Sequence, residues 1–548
     1  MASRGGGAQR ARLPRSSFGS PPGRRPVPHT RPQEESLPDI EDTVGRWLSE
    51  YAAPEASVAT LLCDRHDPDV VAFRFVDEDL TGATMTYGEL ADRSRRLATA
   101  LAERGVKRAD RVAVLMSKRP ELVVTLLAIW RLGAVHVPLF TAFADGAIRL
   151  RVESSGARLV VTEPEQRAKL DALTGVDVLE TGADFDRLVA DSAPSTTSET
   201  VGGAGAFLQL YTSGTTGKPK GVVVPVRALA AFHSYLHYGL DVQAEDVYWN
   251  AADPGWAYGL YYGIVAPLVG GRANLLSRGA FTPESTAAVM QGFGVTNFAG
   301  APTMYRAMSK SAATGRIALR RASSAGEPLT PDVVEWGETT FGVPIGDHYG
   351  QTELGMVIGN HWHDDVVQPI RTGSMGHPLP GFLAGLVDGQ IAIDASASPL
   401  FWFDGYQDEP DKTAERFAEA GRWYLTGDTG RADEDGYFFF TARDDDVILA
   451  SGYRIGPFDV ESVLITHPAV TDVAVVGRPD PEGIRGEIVE AFVVTSASRD
   501  ARDALAQDLQ ALVRDTYSRH AYPRVVHFVE ALPKTPSGKI QRFLLRRG

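Results

Sequence analysis

The sequence predicts an α/β protein: a large N-terminal α/β domain followed by a small C-terminal α+β domain. Three observations lead there. The chain has 548 residues, too many for one compact core, so it divides into domains. From about residue 37 onward, short apolar runs alternate with amphipathic helical stretches, the pattern of helices covering a mainly parallel sheet. At 441–457, "TARDDDVILASGYRIGP" breaks that rhythm, and the αβ pattern beyond it has the length of a single small domain. The expected boundaries are a tail at 1–36, a large domain at 37–442, a hinge at 443–446 and a small domain at 447–548.

The tail comes first. Residues 1–33 hold seven arginines, no acidic residue and many Gly, Pro and Ser. Such a segment buries too little apolar surface to offset its ordering entropy, so it reads as disordered. An Arg-rich, acid-poor start also occurs in mitochondrial transit peptides, but those are amphipathic and this one is too rich in Gly and Pro. A cytoplasmic enzyme is the expectation, with the mitochondrial matrix as the alternative. "TYGELADRSRRLATALAERG" then opens on a capping box, Thr86 with Glu89, and closes at Gly105. "RVAVLM" (111–116) and "ARLVVT" (157–162) read as buried strands, and Pro120 stands at a helix N-terminus.

Composition narrows the function. Hydrophobic content of 43% and charged content of 23% describe an ordinary globular protein. A formal charge of −14 argues against nucleic-acid partners. Cys63 is the only cysteine, which excludes an intrachain disulfide and a cysteine metal cluster; it reads as a small buried apolar residue. The most apolar stretch, "GWAYGLYYGIVAPLVGG" (255–271), is shorter than a membrane span and interrupted by Pro267, so it reads as core or pocket lining.

Chemistry enters at "YTSGTTGKPKGV", Tyr211 to Val222. Its glycines let backbone N–H groups turn inward as an anion nest, its hydroxyls add donors, and Lys218 and Lys220 add charge. A Walker loop would follow Gly217-Lys218 with Ser or Thr and run into a helix. Pro219 stands there instead, and the flanks "AFLQLY" and "VVV" are strand-like, so a strand–loop–strand element is expected. Four further stretches carry polar residues in turn contexts: "SSAGEPLTPDVV" (323–334), "DHYGQTELG" (347–355), "RWYLTGDTGRADEDGYFFFTARDDD" (422–446) and "LPKTPSGKIQR" (532–542). Each alone also suits a cap, a turn or a solvated terminus.

In this order and spacing, the five stretches resemble the acyl-adenylate-forming superfamily, from about residue 40 to the end. "SGYRIGPFDVESVL" and "DPGW" look most like its acetyl-CoA and medium-chain acyl-CoA synthetases. The resemblance implies the adenylate-forming fold with a mobile C-terminal domain. It also implies an ATP-dependent acid–thiol ligase that makes an acyl-AMP, passes the acyl group to coenzyme A, and releases AMP and pyrophosphate. ATP, Mg²⁺ and coenzyme A are the implied cofactors or co-substrates, and a carboxylic acid is the implied partner.

Site residues follow from the same resemblance. Thr212, Ser213, Gly214, Thr215, Thr216, Gly217 and Lys218 would hold the β- and γ-phosphates. Gly326, Glu327, Pro328, Asp347, Tyr349 and Gln351 would line the adenine and ribose site. Asp428 would accept from the ribose hydroxyls, and Arg443 would reach the ribose and phosphates. Thr352 would bond the α-phosphate, and Glu353 would bind Mg²⁺, a hard cation suited to carboxylate and phosphate oxygens. Lys539 would neutralise charge developing between carboxylate and α-phosphate, an effect of ~3–4 kcal/mol for a preorganised donor. After rotation of the small domain about Asp445, Ser451 and Gly452 would border the pantetheine tunnel. In the adenylating state Arg454 would meet phosphates, and Arg514 would contact a coenzyme A phosphate.

The acyl pocket is expected at Trp256, Ala257, Tyr258, Ala325 and Gly350. Acetyl-CoA synthetases place a bulky tryptophan before Q-T-E; Gly350 stands there here. The missing indole is expected to leave room for several methylenes at ~0.8 kcal/mol each, with Tyr258 taking some back. A short- to medium-chain or small aromatic acid larger than acetate is therefore expected. The alternative is a stand-alone adenylation enzyme that loads an aryl or amino acid onto a carrier protein. Amino-acid-activating relatives use an F-D-x-S aspartate, where this chain has "ADPGW".

Overall fold

The computed structural model describes residues 40–212, 220–312, 314–443, 446–450, 453–481, 487–535 and 539–547, apart from the side chains of Tyr453 and Arg454. The proposed tail 1–36, the loop residues Ser213 to Lys218, the hinge residue Asp445, and Ser451 and Gly452 lie outside the described residues, as does the Arg454 side chain.

Among the described residues the strands form five sheets. One has six strands in the order Asp177–Glu180, Leu159–Thr162, Arg111–Leu115, Val135–Leu139, Ala206–Thr212, Lys220–Pro225. Its pairs are parallel until the last, where Ala206–Thr212 and Lys220–Pro225 run antiparallel with Thr212 opposite Lys220. The glycine loop thus joins two paired strands, the strand–loop–strand element expected from its flanks. A nine-stranded sheet runs His377–Pro378, Gly355–Gly359, Ile345–Gln351, Arg321–Ala325, Asn297–Gly300, Tyr248–Asn250, Asn274–Ser277, Val71–Val76, Gly82–Thr86. It is parallel through its middle and antiparallel at its edges.

Local sequence explains the helices that cover these sheets. Tyr87–Glu103 starts at Thr86, whose hydroxyl accepts from Glu89 N (3.2 Å) while its own N–H donates to the Glu89 carboxylate (2.8 Å). Both bonds of the capping box form, and Gly105 turns the chain away at φ +90°. Pro120 opens the helix Pro120–Arg131, as its fixed φ favours. The apolar stretch 255–271 folds as Ala257–Leu260, a π-helical turn Tyr261–Val265, and Ala266–Gly270, mostly buried. No helix among the described residues is long and apolar enough to cross a membrane. Cys63 is buried in the main core.

A third sheet is built around Trp423–Ala432, whose Asp428 stands opposite Arg443 of Phe438–Arg443. Further along, Ile448–Ala450 and Tyr453–Ile455 form a two-stranded ribbon. Val470–Pro479, Glu487–Thr495 and Val525–Phe528 form a three-stranded sheet with its own core, shared with the helices Pro457–Leu464 and Arg502–Thr516. Arg542 clamps the last helix onto Glu461 with bonds of 2.7 and 2.8 Å.

One expectation fails at the edge of the nine-stranded sheet. Ile345–Gln351 pairs with Gly355–Gly359 through a register shift between Tyr349 and Gly350. A β-carbon at Gly350 would stand 2.1 Å from the Gly355 carbonyl oxygen and 2.7 Å from Met356 Cα. The position is therefore no void awaiting an indole. It is the place where two backbones meet too closely for any side chain, and the argument for a larger acyl group from Gly350 falls with it.

Gly350→Ala should then force the strand pair apart, at the ~1–3 kcal/mol typical of overpacking, and Gly350→Trp should cost more. Thermal unfolding checks this: both variants should melt below wild type. A Gly350→Trp protein with wild-type melting would restore the void.

Candidate active site

Asp428 is the focus. It is buried on the strand Trp423–Ala432. Its Oδ2 accepts from the Tyr349 hydroxyl (2.6 Å) and from Gln351 Nε2 (2.8 Å). Its Oδ1 faces Arg443 Nε at 3.3 Å, a contact that the cross-strand register dictates. Gln351 is held in one orientation, because Nε2 also donates to Thr426 O (2.8 Å) and Oε1 accepts from the Tyr424 hydroxyl (3.3 Å). Burial, and then the Asp428 charge, keep the Tyr349 phenol protonated well above its ordinary range. Oδ2 is thus filled by two donors, and the carboxylate presents Oδ1 rather than two open oxygens.

Glu353 is buried two residues beyond Gln351. Its Oε1 accepts from the Tyr406 hydroxyl (2.7 Å), whose oxygen in turn receives Arg416 Nε (3.3 Å). Lys220, where the strand after the glycine loop begins, places Nζ 4.6 Å from the centre of the Tyr406 ring, within cation–π range. Between them, Thr352 is anchored by its backbone: its carbonyl accepts from the Tyr261 hydroxyl (3.0 Å). The Glu353 carboxylate, the Tyr406 hydroxyl and Lys220 therefore share one neighbourhood.

The Gly326-Glu327-Pro328 turn follows the strand Arg321–Ala325, with Gly326 at φ +104°. Glu327 pairs with Arg306 Nη2 at 3.0 Å, and Leu329 N donates to Asp347 Oδ2 at 3.3 Å. The turn is thereby tied to the strand that carries Tyr349.

The remaining expected residues fall as follows. Thr212 ends the strand entering the loop. Trp256 packs its ring 5.5 Å from Phe140 and 5.2 Å from Phe143. Ala257 opens the helical segment, Tyr258 bonds the Tyr235 hydroxyl at 3.1 Å, and Ala325 is buried at the end of its strand. Lys539 is exposed, and its backbone pairs with Thr535. Arg514 is exposed and paired with Asp515 at 2.8 Å. Tyr406 and Arg416 were missed. Neither lies in a recognisable motif, and both reach Glu353 only through the fold. Tyr261 was legible in principle, three residues beyond Tyr258 on one helix face.

Comparison with known proteins agrees with this geometry. The model of the AMP-binding enzyme family matches residues 63–391, and that of its C-terminal domain matches 459–539. The chain belongs to the AMP-binding enzyme family. It is 37% identical over 493 residues to an acetyl-coenzyme A synthetase of Bacillus subtilis, covering 84% of each chain. It is 35% identical over 516 residues to a mitochondrial acyl-coenzyme A synthetase of Rattus norvegicus, covering 87% of this chain and 86% of that one. The crystal structure of an acyl-CoA synthetase from Brucella canis superposes with a TM-score of 0.71 at 42% identity, over 92% of this chain and 96% of that chain.

In this AMP-binding enzyme the carboxyl of Asp347 is buried and accepts from the Leu329 N–H. Burial pushes its pKa up to about 8, against the opposing pull of the Leu329 and His348 N–H groups. It therefore holds its proton near neutrality. Because the folded value lies above the unfolded one, stability is fully present below about pH 4, the ordinary aspartate value, and is lost as pH rises through about 8. Asp347→Asn keeps an acceptor without the titration. Melting temperatures at pH 6 and pH 9 should fall further in wild type than in the variant; equal falls would show that Asp347 is ionised when folded.

Proposed function

We propose that this chain is an ATP-dependent acyl-CoA synthetase, an AMP-forming acid–thiol ligase. The observation that carries the reading is the convergence of Tyr349, Gln351 and Arg443 on Asp428 beside Glu353 and Thr352. In the first half-reaction a carboxylate oxygen of the acid attacks the α-phosphorus of ATP, and pyrophosphate leaves. In the second, the thiol of coenzyme A attacks the acyl carbon, loses its proton, and expels AMP. Every relative quoted above is named for coenzyme A, which favours that thiol over a carrier protein.

The residues divide the work. Asp347, protonated and buried, offers a donor and an acceptor to an adenine edge. Asp428 accepts a ribose hydroxyl on Oδ1, while Tyr349 and Gln351 hold its other oxygen in place. Arg443 adds positive charge between ribose and phosphates. The Thr352 hydroxyl donates to the α-phosphate as negative charge builds there. The glycine loop, from Thr212 through Lys218, receives the two phosphates that leave. Glu353 is the side chain that would hold Mg²⁺. Among the described residues it is bonded at Oε1 by Tyr406, and no group of three metal-ligating side chains occurs there. That donor set suits a cation completing its shell with phosphate oxygens and water. When bound, Mg²⁺ neutralises phosphate charge.

The small domain is proposed to turn about a hinge at 443–446, bringing Lys539 in for adenylation and the segment with Ser451 and Gly452 for thioester formation. In support, Asp446, the last residue of that hinge, is tied to the last helix by Arg546 (2.7 Å). Arg454 and Arg514 are the proposed contacts for phosphates and coenzyme A. The acid is proposed to be larger than acetate, on the small side chains at Ala257 and Ala325.

Pyrophosphate release across a panel of carboxylic acids, with and without coenzyme A, tests the reading; release that needs no acid would overturn it. Lys539→Ala should abolish acyl-AMP formation and spare thiol attack on a preformed adenylate. Equal loss in both half-reactions would contradict a rotating domain.

A further inference from the structure

Behind the proposed acyl wall lies a run of four hydrogen-bonding groups whose proton directions are fixed. His348 Nε2 stands 2.9 Å from the carbonyl oxygen of Asn360. A carbonyl only accepts, so Nε2 carries the proton. Burial holds the His348 imidazole neutral, with a pKa pushed down to about 3. Nδ1 is therefore an acceptor, and the group 2.5 Å from it is the Tyr235 hydroxyl. Tyr235 spends its one proton there. The Tyr258 hydroxyl lies 3.1 Å from the Tyr235 oxygen, and with Tyr235's proton committed, Tyr258 must be the donor. Tyr258 is left with oxygen lone pairs and no proton to give.

The surroundings make this direction hard to reverse. Tyr235 and His348 are both fully buried, and the Tyr262 ring packs 4.5 Å from that of Tyr235. Tyr235 begins one π-helical turn, Tyr235–Gly239, and Tyr262 lies in another, Tyr261–Val265. Such turns often mark functional positions. Tyr258 itself is half-buried one turn before Tyr262, whose hydroxyl accepts from Met356 N at 2.7 Å, in the strand facing Gly350. Tyr261 of the same segment bonds the Thr352 carbonyl. The same helical segment thus carries Tyr258, which ends the hydrogen-bonded run, and Tyr261, which bonds the residue proposed to meet the α-phosphate.

We propose that Tyr258 reads a hydrogen-bond donor on the acyl chain, so that the preferred substrate is a hydroxy- or amino-substituted carboxylic acid. The inference rests on the acyl-CoA synthetase reading above. An acceptor-only phenol oxygen bonds a substrate O–H or N–H, offers nothing to a keto or ether oxygen, and loses its water to no purpose against a plain alkyl chain.

The test is pyrophosphate release by the full chain with linear acids of three to eight carbons. Each acid is supplied unsubstituted, as the hydroxy acid and as the keto acid with oxygen at the same carbon. At one position the hydroxy acid should exceed both counterparts in kcat/KM by about tenfold, the worth of one good hydrogen bond. Tyr258→Phe should bring that ratio close to one. Tyr235→Phe removes the acceptor, frees the Tyr258 proton, and should move preference from the hydroxy acid toward the keto acid. A merely structural role would not produce that reversal. Wild-type enzyme that favours unsubstituted acids at every position overturns the inference without any variant, as does a hydroxy preference surviving in well-folded Tyr258→Phe. Release with no acid of any kind would instead overturn the adenylation reading beneath it.

Discussion

The carbonyl of Gly355 lies so close to Gly350 that no side chain fits between them, and the arrangement of the site depends on that approach. At the register shift between Tyr349 and Gly350 the extra residue is Val357 of the facing strand, and such an insertion bends the strand that carries it. Tyr349 and Gln351, two residues apart on one strand face, both reach the Asp428 carboxylate, and Glu353 turns to Tyr406. Gly355, at φ +71° and packed under the Tyr262 hydroxyl, leaves as little room on the other side. Two glycines thus serve as a hinge-free corner: neither supplies chemistry, and together they aim the residues that do.

Around that corner, three buried carboxyl groups stand in different company. Asp428 meets a phenol, an amide and a guanidinium, and Glu353 meets a phenol backed by a guanidinium. Among the described residues the hydrogen bonds to the Asp347 carboxyl come from backbone N–H groups, and burial pushes its pKa up to about 8. Burial favours the neutral form unless donors or charges offset it.

Much of this was legible in the sequence. The Thr86–Glu89 capping box, the helix opening at Pro120, the strands flanking the glycine loop and the burial of Cys63 follow from local rules, and the structure has them. Asp428 and Arg443 were each singled out from turn motifs, though their register as direct strand partners is a property of the pairing. Gly350 was misread because a missing side chain has two opposite causes, empty space and crowding, and the sequence does not distinguish them. Tyr406 and the pair Tyr235–His348 were not legible at all. The latter lie 113 residues apart, and only the packing of a π-helical turn against the strand Ile345–Gln351 joins them.

The central claim is that the acid's own oxygen becomes bonded to the α-phosphorus within this site. Labelling both carboxylate oxygens of an accepted acid with ¹⁸O tests it most directly. One labelled oxygen should appear in the AMP formed in the presence of coenzyme A, the other should remain in the thioester carbonyl, and pyrophosphate should carry none. Label found in orthophosphate or pyrophosphate, with unlabelled AMP, would mean attack at another phosphorus and would contradict the account.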